Sequence, residues 1–143
     1  MTKILVAYDG SEMSQTALQE AKSQLERQPD TELHVISVAT MSGPTMNYPL
    51  AKSITNEVAD AMRSVMKQLQ HELEDEGIKS HCEVIVDYYQ RNPGKMICQY
   101  AEDNKIDLII VGSRGLGKMS GLFLGSVSHY IVQHASSKVL VIK

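Results

Sequence analysis

Gly112 and Gly115 bracket Ser113-Arg114, and Gly125-Ser126 follows after a long loop. Before the first glycines runs Asp107-Leu108-Ile109-Ile110-Val111, an apolar stretch that reads as a buried strand. After the last comes Val127-Ser128-His129-Tyr130-Ile131-Val132, with Val127 and Ile131 four apart as on a helix. Glycine lets a ligand approach the backbone closely. The first N–H groups of a helix lack internal partners, and its dipole favours an anion there. Backbone amides at the two ends of such a loop can close around a phosphate chain. Arg114 can reach phosphate oxygens by charge-assisted hydrogen bonds. The hydroxyls of Ser126 and Ser128 can bond phosphates or cap the orphan N–H groups. Asp9, in Asp9-Gly10-Ser11, can accept hydrogen bonds from a ribose or adenine, join a metal's water shell, or form a turn. A plain strand–helix connection with a serine N-cap accounts for one Gly-Ser pair. It does not account for four punctuated positions in a single strand–loop–helix unit.

The elements that must position these residues follow from patterning. Residues 3–8 contain Ile4-Leu5-Val6-Ala7, too continuously apolar for a half-exposed strand and suited to a central parallel one. Ser11 reads as an N-cap, and Met13, Ala17, Leu18, Ala21 and Leu25 form a helical face to about Arg27. A strand from Glu32 to Ala39 and a loop from Thr40 to Leu50 come next. A long helix carries the stripe Ile54, Val58, Ala61, Met62, Val65, Leu69 and Leu73, expected to face the core. Gly77 reads as its left-handed terminus. A third strand covers about Ser80 to Val86. Asn92 caps a helix that Pro93 begins, with Met96, Ile97, Tyr100 and Ala101 inward. Strand four is Ile106 to Val111, the last helix about Ser126 to Ala135, and strand five Lys138 to Ile142. Strict alternation predicts an α/β fold, a single doubly wound five-stranded parallel sheet with helices on both faces.

Composition bounds the function. A chain of 143 residues, 43% apolar and 22% charged, suits one domain over 1–143 with its own core. A net charge of −3 without a Lys/Arg cluster argues against a general nucleic-acid binder. No apolar run approaches the ~20 residues that span a bilayer. Met1-Thr2-Lys3 leads directly into a strand, so a cytoplasmic protein without a leader is expected. Cys82 and Cys98 lack metal-ligand spacing and read as packed thiols. The five histidines lack the context of a zinc site and read as packed or solvent-facing.

The spacing Gly112-x2-Gly115-x9-Gly125-Ser126 resembles the G-x2-G-x9-G-[S/T] nucleotide motif of ATP-binding universal stress proteins. Lys3 to Ser11 is similar to that family's opening strand with its Asp-Gly-Ser. Leu33 to Val38, Asp107 to Gly115 and Val139 to Ile142 are similar to its second, fourth and last strands. The resemblance implies a sheet order 3-2-1-4-5, with the switch in winding direction between strands one and four. It implies ATP, with Mg2+ or Mn2+, as the ligand. Tyr8, Asp9 and the backbone around Val38 would then hold adenine and ribose. Gly112, Gly115, Gly125, Ser126, Val127 and Ser128 would hold the phosphates. It also implies a homodimer through Val139-Leu140-Val141-Ile142, an apolar edge strand in that order. One departure is Arg91, where many members have a glycine two residues before the third helix.

Competing motifs fit less well. Gly112-x4-Gly117-Lys118 approaches a P-loop, but Met119 replaces the hydroxyl residue that holds magnesium. Gly115-x-Gly117 begins a dinucleotide fingerprint, but Ser120 stands at the third glycine. Lys118-Met119-Ser120 matches a tRNA-synthetase core whose His-Ile-Gly-His partner is absent from the sequence. The expected function is an ATP-binding regulator. The alternatives are a slow ATPase or phosphotransferase on the same loop, and a structural dimer with a vestigial pocket. No catalytic residue is assigned, since no convincing general base stands at the γ-phosphate.

Overall fold

The computed structural model describes residues 1–41, 47–89, 91–114 and 124–143. Along them run β1 (Thr2–Ala7), α1 (Glu12–Arg27), β2 (Thr31–Thr40), α2 (Tyr48–Asp75) and β3 (Ser80–Asp87). These are followed by α3 (Pro93–Asp103), β4 (Leu108–Gly112), α4 (Ser126–His134) and β5 (Lys138–Ile142). The sheet has the expected order β3-β2-β1-β4-β5, and every neighbouring pair is parallel. Strand four starts later than its apolar run suggested. Asp107 instead closes the foot of the sheet, where its carboxylate accepts from Lys3 N at 2.8 Å and its own N–H donates to Lys3 O at 2.9 Å.

Successive strand residues point to opposite faces, which explains why Ile4, Leu5 and Val6 are all buried. Ile4 and Val6 join Leu33 and Val35 beneath α1 and α2, packed on Ala17, Leu18, Ala21, Met66 and Leu73. Leu5 joins Ile36, Ile109 and Val111 on the other face, beneath Ile97, Tyr100 and Ala101 of α3 and Ile131 of α4. Gly77 has φ 75°, as a left-handed helix terminus requires. Arg91 has φ 49°, the conformation that glycine adopts without strain. His34 is buried, and Cys82 and Cys98 are free thiols, half-buried and buried.

The inward stripe of α2 differs from the expected one. Leu69 and Leu73 face the core as read, with Met62 half-buried, but Thr55, Ala59 and Met66 complete the buried face. Ile54, Val58, Ala61 and Val65 lie exposed. The helix is apolar over about half its circumference, and the sheet covers only one part of that arc. The helix also begins earlier than expected, at Tyr48, with Asn47 accepting from Leu50 N.

Candidate functional site

At the carboxyl ends of the strands, β1 turns toward β2 through α1 and β4 turns toward β5 through α4. The two connections lie on opposite faces of the sheet, which leaves a crevice between β1 and β4. A cavity of about 320 Å3 occupies it, a size within the range of small-molecule sites.

Ala7-Tyr8-Asp9 forms one wall. Tyr8 N donates to Ile36 O at 2.8 Å, continuing the β1–β2 ladder past the strand. Asp9 Oδ1 accepts from Ser11 N at 2.9 Å around Gly10, whose φ of 83° makes the sharp turn possible. Ser11 in turn caps α1 by accepting from Ser14 N at 3.2 Å. The floor is apolar, formed by Ile36 and Val38 of β2, Val111 of β4, and Pro93 and Ile97 of α3. Asn92 caps α3 by accepting from Lys95 N at 3.0 Å, and this sets Pro93 at the first helical position on the rim.

The opposite wall is Gly112-Ser113-Arg114 and Gly125-Ser126-Val127-Ser128. The two ends of the long loop are pinned together. Gly125 N donates to Ser113 O at 2.6 Å, and Ser113 N donates to Ile142 O at 2.7 Å. The Ser128 hydroxyl lies 3.1 Å from each of two carbonyl oxygens, Ser113 O and Gly125 O. Its single proton is directed to these carbonyls, so the side chain clips the loop base. The two glycines that line this wall, Gly112 and Gly125, fit tightly. A Cβ on Gly112 would lie 2.8 Å from Met13 Cβ, and one on Gly125 would lie 3.2 Å from Ser113 O.

The helix starts differ in one respect. A side chain caps each of α1, α2 and α3, whereas α4 opens on Gly125 with no side-chain cap. The plain reading of Ser126 as N-cap is therefore incorrect, since Gly125 holds that position. The first intrahelical bond of α4 runs from His129 N to Gly125 O at 2.9 Å. The N–H groups of Ser126, Val127 and Ser128 thus precede the helical ladder, at residues that line the cavity. Such a helix start, with Arg114 beside it, suits an anion.

The structure brings together Tyr8, Asp9, Val38, Gly112, Arg114, Gly125, Ser126, Val127 and Ser128 of the residues singled out from sequence. Gly115 lies outside the described residues, as do Gly117 to Ser120 of the competing motifs. Sequence reading missed Ile36, Pro93, Ile97 and Ser113 as lining residues. Ile36 was accessible in principle, because it shares a strand face with Val38 two residues on. Arg91 is not among the lining residues. Among the described residues no group of three or more His, Cys, Asp or Glu is arranged to hold a metal ion. Also among them, no helix is long and apolar enough to cross a membrane.

The model of the universal stress protein family matches residues 1–143. The universal stress protein YxiE of Bacillus subtilis is 31% identical, over 99% of this chain and 98% of its own length. The solved structure of the universal stress protein UspA from Lactobacillus plantarum superposes with a TM-score of 0.85 at 27% identity, covering 99% of this chain and 97% of that one. A universal stress protein family protein from Arabidopsis thaliana, solved with AMP bound, shares the fold with a TM-score of 0.68. It is 20% identical, with 100% of this chain and 92% of that one covered.

Proposed function

The chain belongs to the universal stress protein family, and from that premise we propose that it is a cytoplasmic ATP-binding regulator. The observation that carries the reading is the start of α4, whose N-cap residue Gly125 has no side chain to cap it, facing the crevice with Arg114 at its side. In this reading the triphosphate lies against the N–H groups of Ser126, Val127 and Ser128, with Arg114 closing the near side, and Gly115, outside the described residues, is assigned to the phosphates by the motif alone. Adenine sits over Ile36, Val38, Ile97 and Val111, and Tyr8 and Asp9 meet base and ribose.

The donor set fits a magnesium or manganese ion carried by the phosphates. Such an ion keeps most of its waters and needs only one or two protein carboxylates. Asp9 is the one carboxylate among the described lining residues. The ion, when bound, would neutralise phosphate charge. The same lining weighs against efficient hydrolysis, because it offers no second carboxylate or histidine as a general base among the described residues. A slow ATPase or phosphotransferase is the alternative reading.

The regulator is further proposed to be a homodimer through β5. Lys138 N donates to Asp107 O, and Ile142 O accepts from Ser113 N. Alternation along a strand then turns Lys138, Leu140 and Ile142 toward β4, and the backbone groups of Val139 and Val141 outward. An apolar open edge of this kind is a pairing surface, and a second copy across a two-fold axis satisfies it.

The test is mass spectrometry of small molecules released from gently purified, then denatured protein, followed by a time course of ADP formation. Co-purifying ATP that stays intact supports the regulator. Steady ADP production supports the alternative, and the absence of any nucleotide together with no binding in titration refutes both.

A further inference from the structure

Beneath the cavity floor lies a chain of polar groups that nucleotide binding does not use. His34 of β2 is buried, and both ring nitrogens are engaged. Nε2 lies 2.7 Å from Glu32 Oε1, and Nδ1 lies 2.7 Å from the Tyr100 hydroxyl of α3. The Glu83 carboxylate of β3 adds a negative charge that acts on that hydroxyl. Lys79, just before β3, reaches the other Glu32 oxygen at 3.1 Å. His81 of β3 sits across the ladder with its ring centroid 5.7 Å from that of His34, and pairs with Glu83 at 3.2 Å. Lys3 of β1 adds a more distant positive charge and donates to Asn104 O.

Proton bookkeeping constrains this chain. An ionised carboxylate only accepts, so His34 Nε2 carries a hydrogen toward Glu32. In neutral imidazole Nδ1 is then an acceptor, and the Tyr100 hydroxyl must donate to it. A tyrosine has one hydroxyl proton, and that bond uses it. If His34 gains a proton at Nδ1, that nitrogen becomes the donor, the Tyr100 oxygen accepts, and the hydroxyl proton is released toward the side of the Glu83 charge. Both bonds of His34 survive, and the one to Tyr100 reverses its direction.

The chain adjoins the site. Glu32, His34, Ile36 and Val38 alternate along one face of β2, and Ile36 and Val38 line the cavity. On α3 Tyr100 lies one turn below Ile97 and two below Pro93, both of which also line it. Ile36, Ile97 and Tyr100 belong to one packed cluster.

We propose that Glu32–His34–Tyr100 is a proton switch coupled to occupancy of the cavity, in which uptake of one solvent proton at His34 weakens binding of the base. The proposal rests on the nucleotide reading above. A base seated on Ile36 and Ile97 removes water from above the chain, and this raises the cost of a charge within it. Linkage is reciprocal, so the proton weakens the ligand by the same factor. Burial holds the His34 imidazole below its ordinary value, against the pull of Glu32. Lys79 holds the Glu32 carboxyl below the usual carboxylate range. Burial, with Glu83 and Glu32, pushes the Tyr100 hydroxyl up. At neutral pH the resting state is therefore neutral His34 between the Glu32 carboxylate and the Tyr100 hydroxyl.

The test uses adenosine, which has no phosphate to titrate. Its affinity is measured by calorimetry on the full chain between about pH 7.5 and about pH 5.5, for wild type and His34→Gln. The His34 ring is followed by NMR with and without ligand. The expected results are a loss of affinity of about fivefold or more on acidification, a downward displacement of the His34 titration by adenosine, and a flat pH profile in H34Q. Equal pH dependence in wild type and H34Q, or a His34 titration that adenosine leaves in place, overturns the switch while the nucleotide reading stands. No adenosine binding at any pH overturns the coupling together with the reading of the apolar floor. Tyr100→Phe, in which the relay is cut, is expected to move the His34 titration even without ligand. An unmoved titration there also overturns the proposal.

Discussion

Gly112→Ala should damage the fold more than the ligand site. Gly112 ends β4 and lines the cavity, but the direction of its missing side chain is toward α1. A Cβ there would stand 2.8 Å from Met13 Cβ and 3.1 Å from Arg114 O, where ordinary contact begins at 3.4 Å. The gap must open by about 0.6 Å (3.4 minus 2.8), and no rotamer relieves it because Met13 Cβ is fixed to the helix backbone. Overpacking of this kind costs about 1–3 kcal/mol. At about 2–4 °C per kcal/mol for a domain of this size, Tm should fall by roughly 2–12 °C. The affinity for ATP in the folded variant should change by less than about tenfold. Met13→Gly removes the opposing Cβ, so the pair G112A/M13G should be less destabilised than the sum of the singles by more than about 0.5 kcal/mol. Thermal melts of the four proteins and calorimetric titration of G112A decide this. An unchanged Tm with lost binding would show that Gly112 serves the ligand and that the packing argument is wrong.

Gly125→Val places a branched side chain against Ser113 O, where even a Cβ is tight at 3.2 Å. Titration should find ATP binding abolished while circular dichroism stays native, and retained affinity would remove the phosphate-loop assignment. Val141→Pro removes a backbone donor from the outward side of β5 and leaves the ladder to β4 intact. Light scattering should show the wild-type dimer converted to monomer, whereas an equally tight mutant dimer would place the interface elsewhere. Because the folded-state pKa of His34 is depressed by burial, its contribution to stability is full above the unfolded value of about 6.5 and declines as pH falls below it. Denaturant melts should show this as a slope of at most about 1.4 kcal/mol per pH unit. The slope should be reduced in H34Q, and an identical slope in both proteins would refute it.

The sheet was legible because parallel strands buried on both faces read as unbroken apolar runs, as in Ile4-Leu5-Val6. The starts of α1 and α3 were legible because Ser11 and Asn92 cap them with side chains. The inward face of α2 was not. Thr55 and Ala59 carry little apolar signal yet face the sheet, while Ile54 and Val58 offered a stronger stripe that the sheet does not reach. Most residues chosen for the site lie together because strand order alone brings Asp9 beside Gly112. The cavity floor was harder to read, since Ile36 and Ile97 meet only through packing of α3 on β2. The direction of the Ser128 hydroxyl depends on the loop ends closing, through the bond from Gly125 N to Ser113 O, and no residue pattern encodes that.

The position of β1 at the centre of the sheet has a consequence for synthesis of the chain. β1 pairs on one side with β4, which is made much later, and the clasp between Lys3 and Asp107 spans 104 residues. At about 5–20 residues per second, the ribosome takes roughly 5–20 s to deliver that partner. Over this interval Leu5 lacks the Ile109 beside which it is buried in the finished sheet. The lining of the cavity runs from Ala7 to Ser128, so a ligand cannot assist until nearly every element has left the tunnel. Folding around β1 thus waits on the later-made β4, and until then the chain presents an apolar central strand to whatever holds nascent proteins apart.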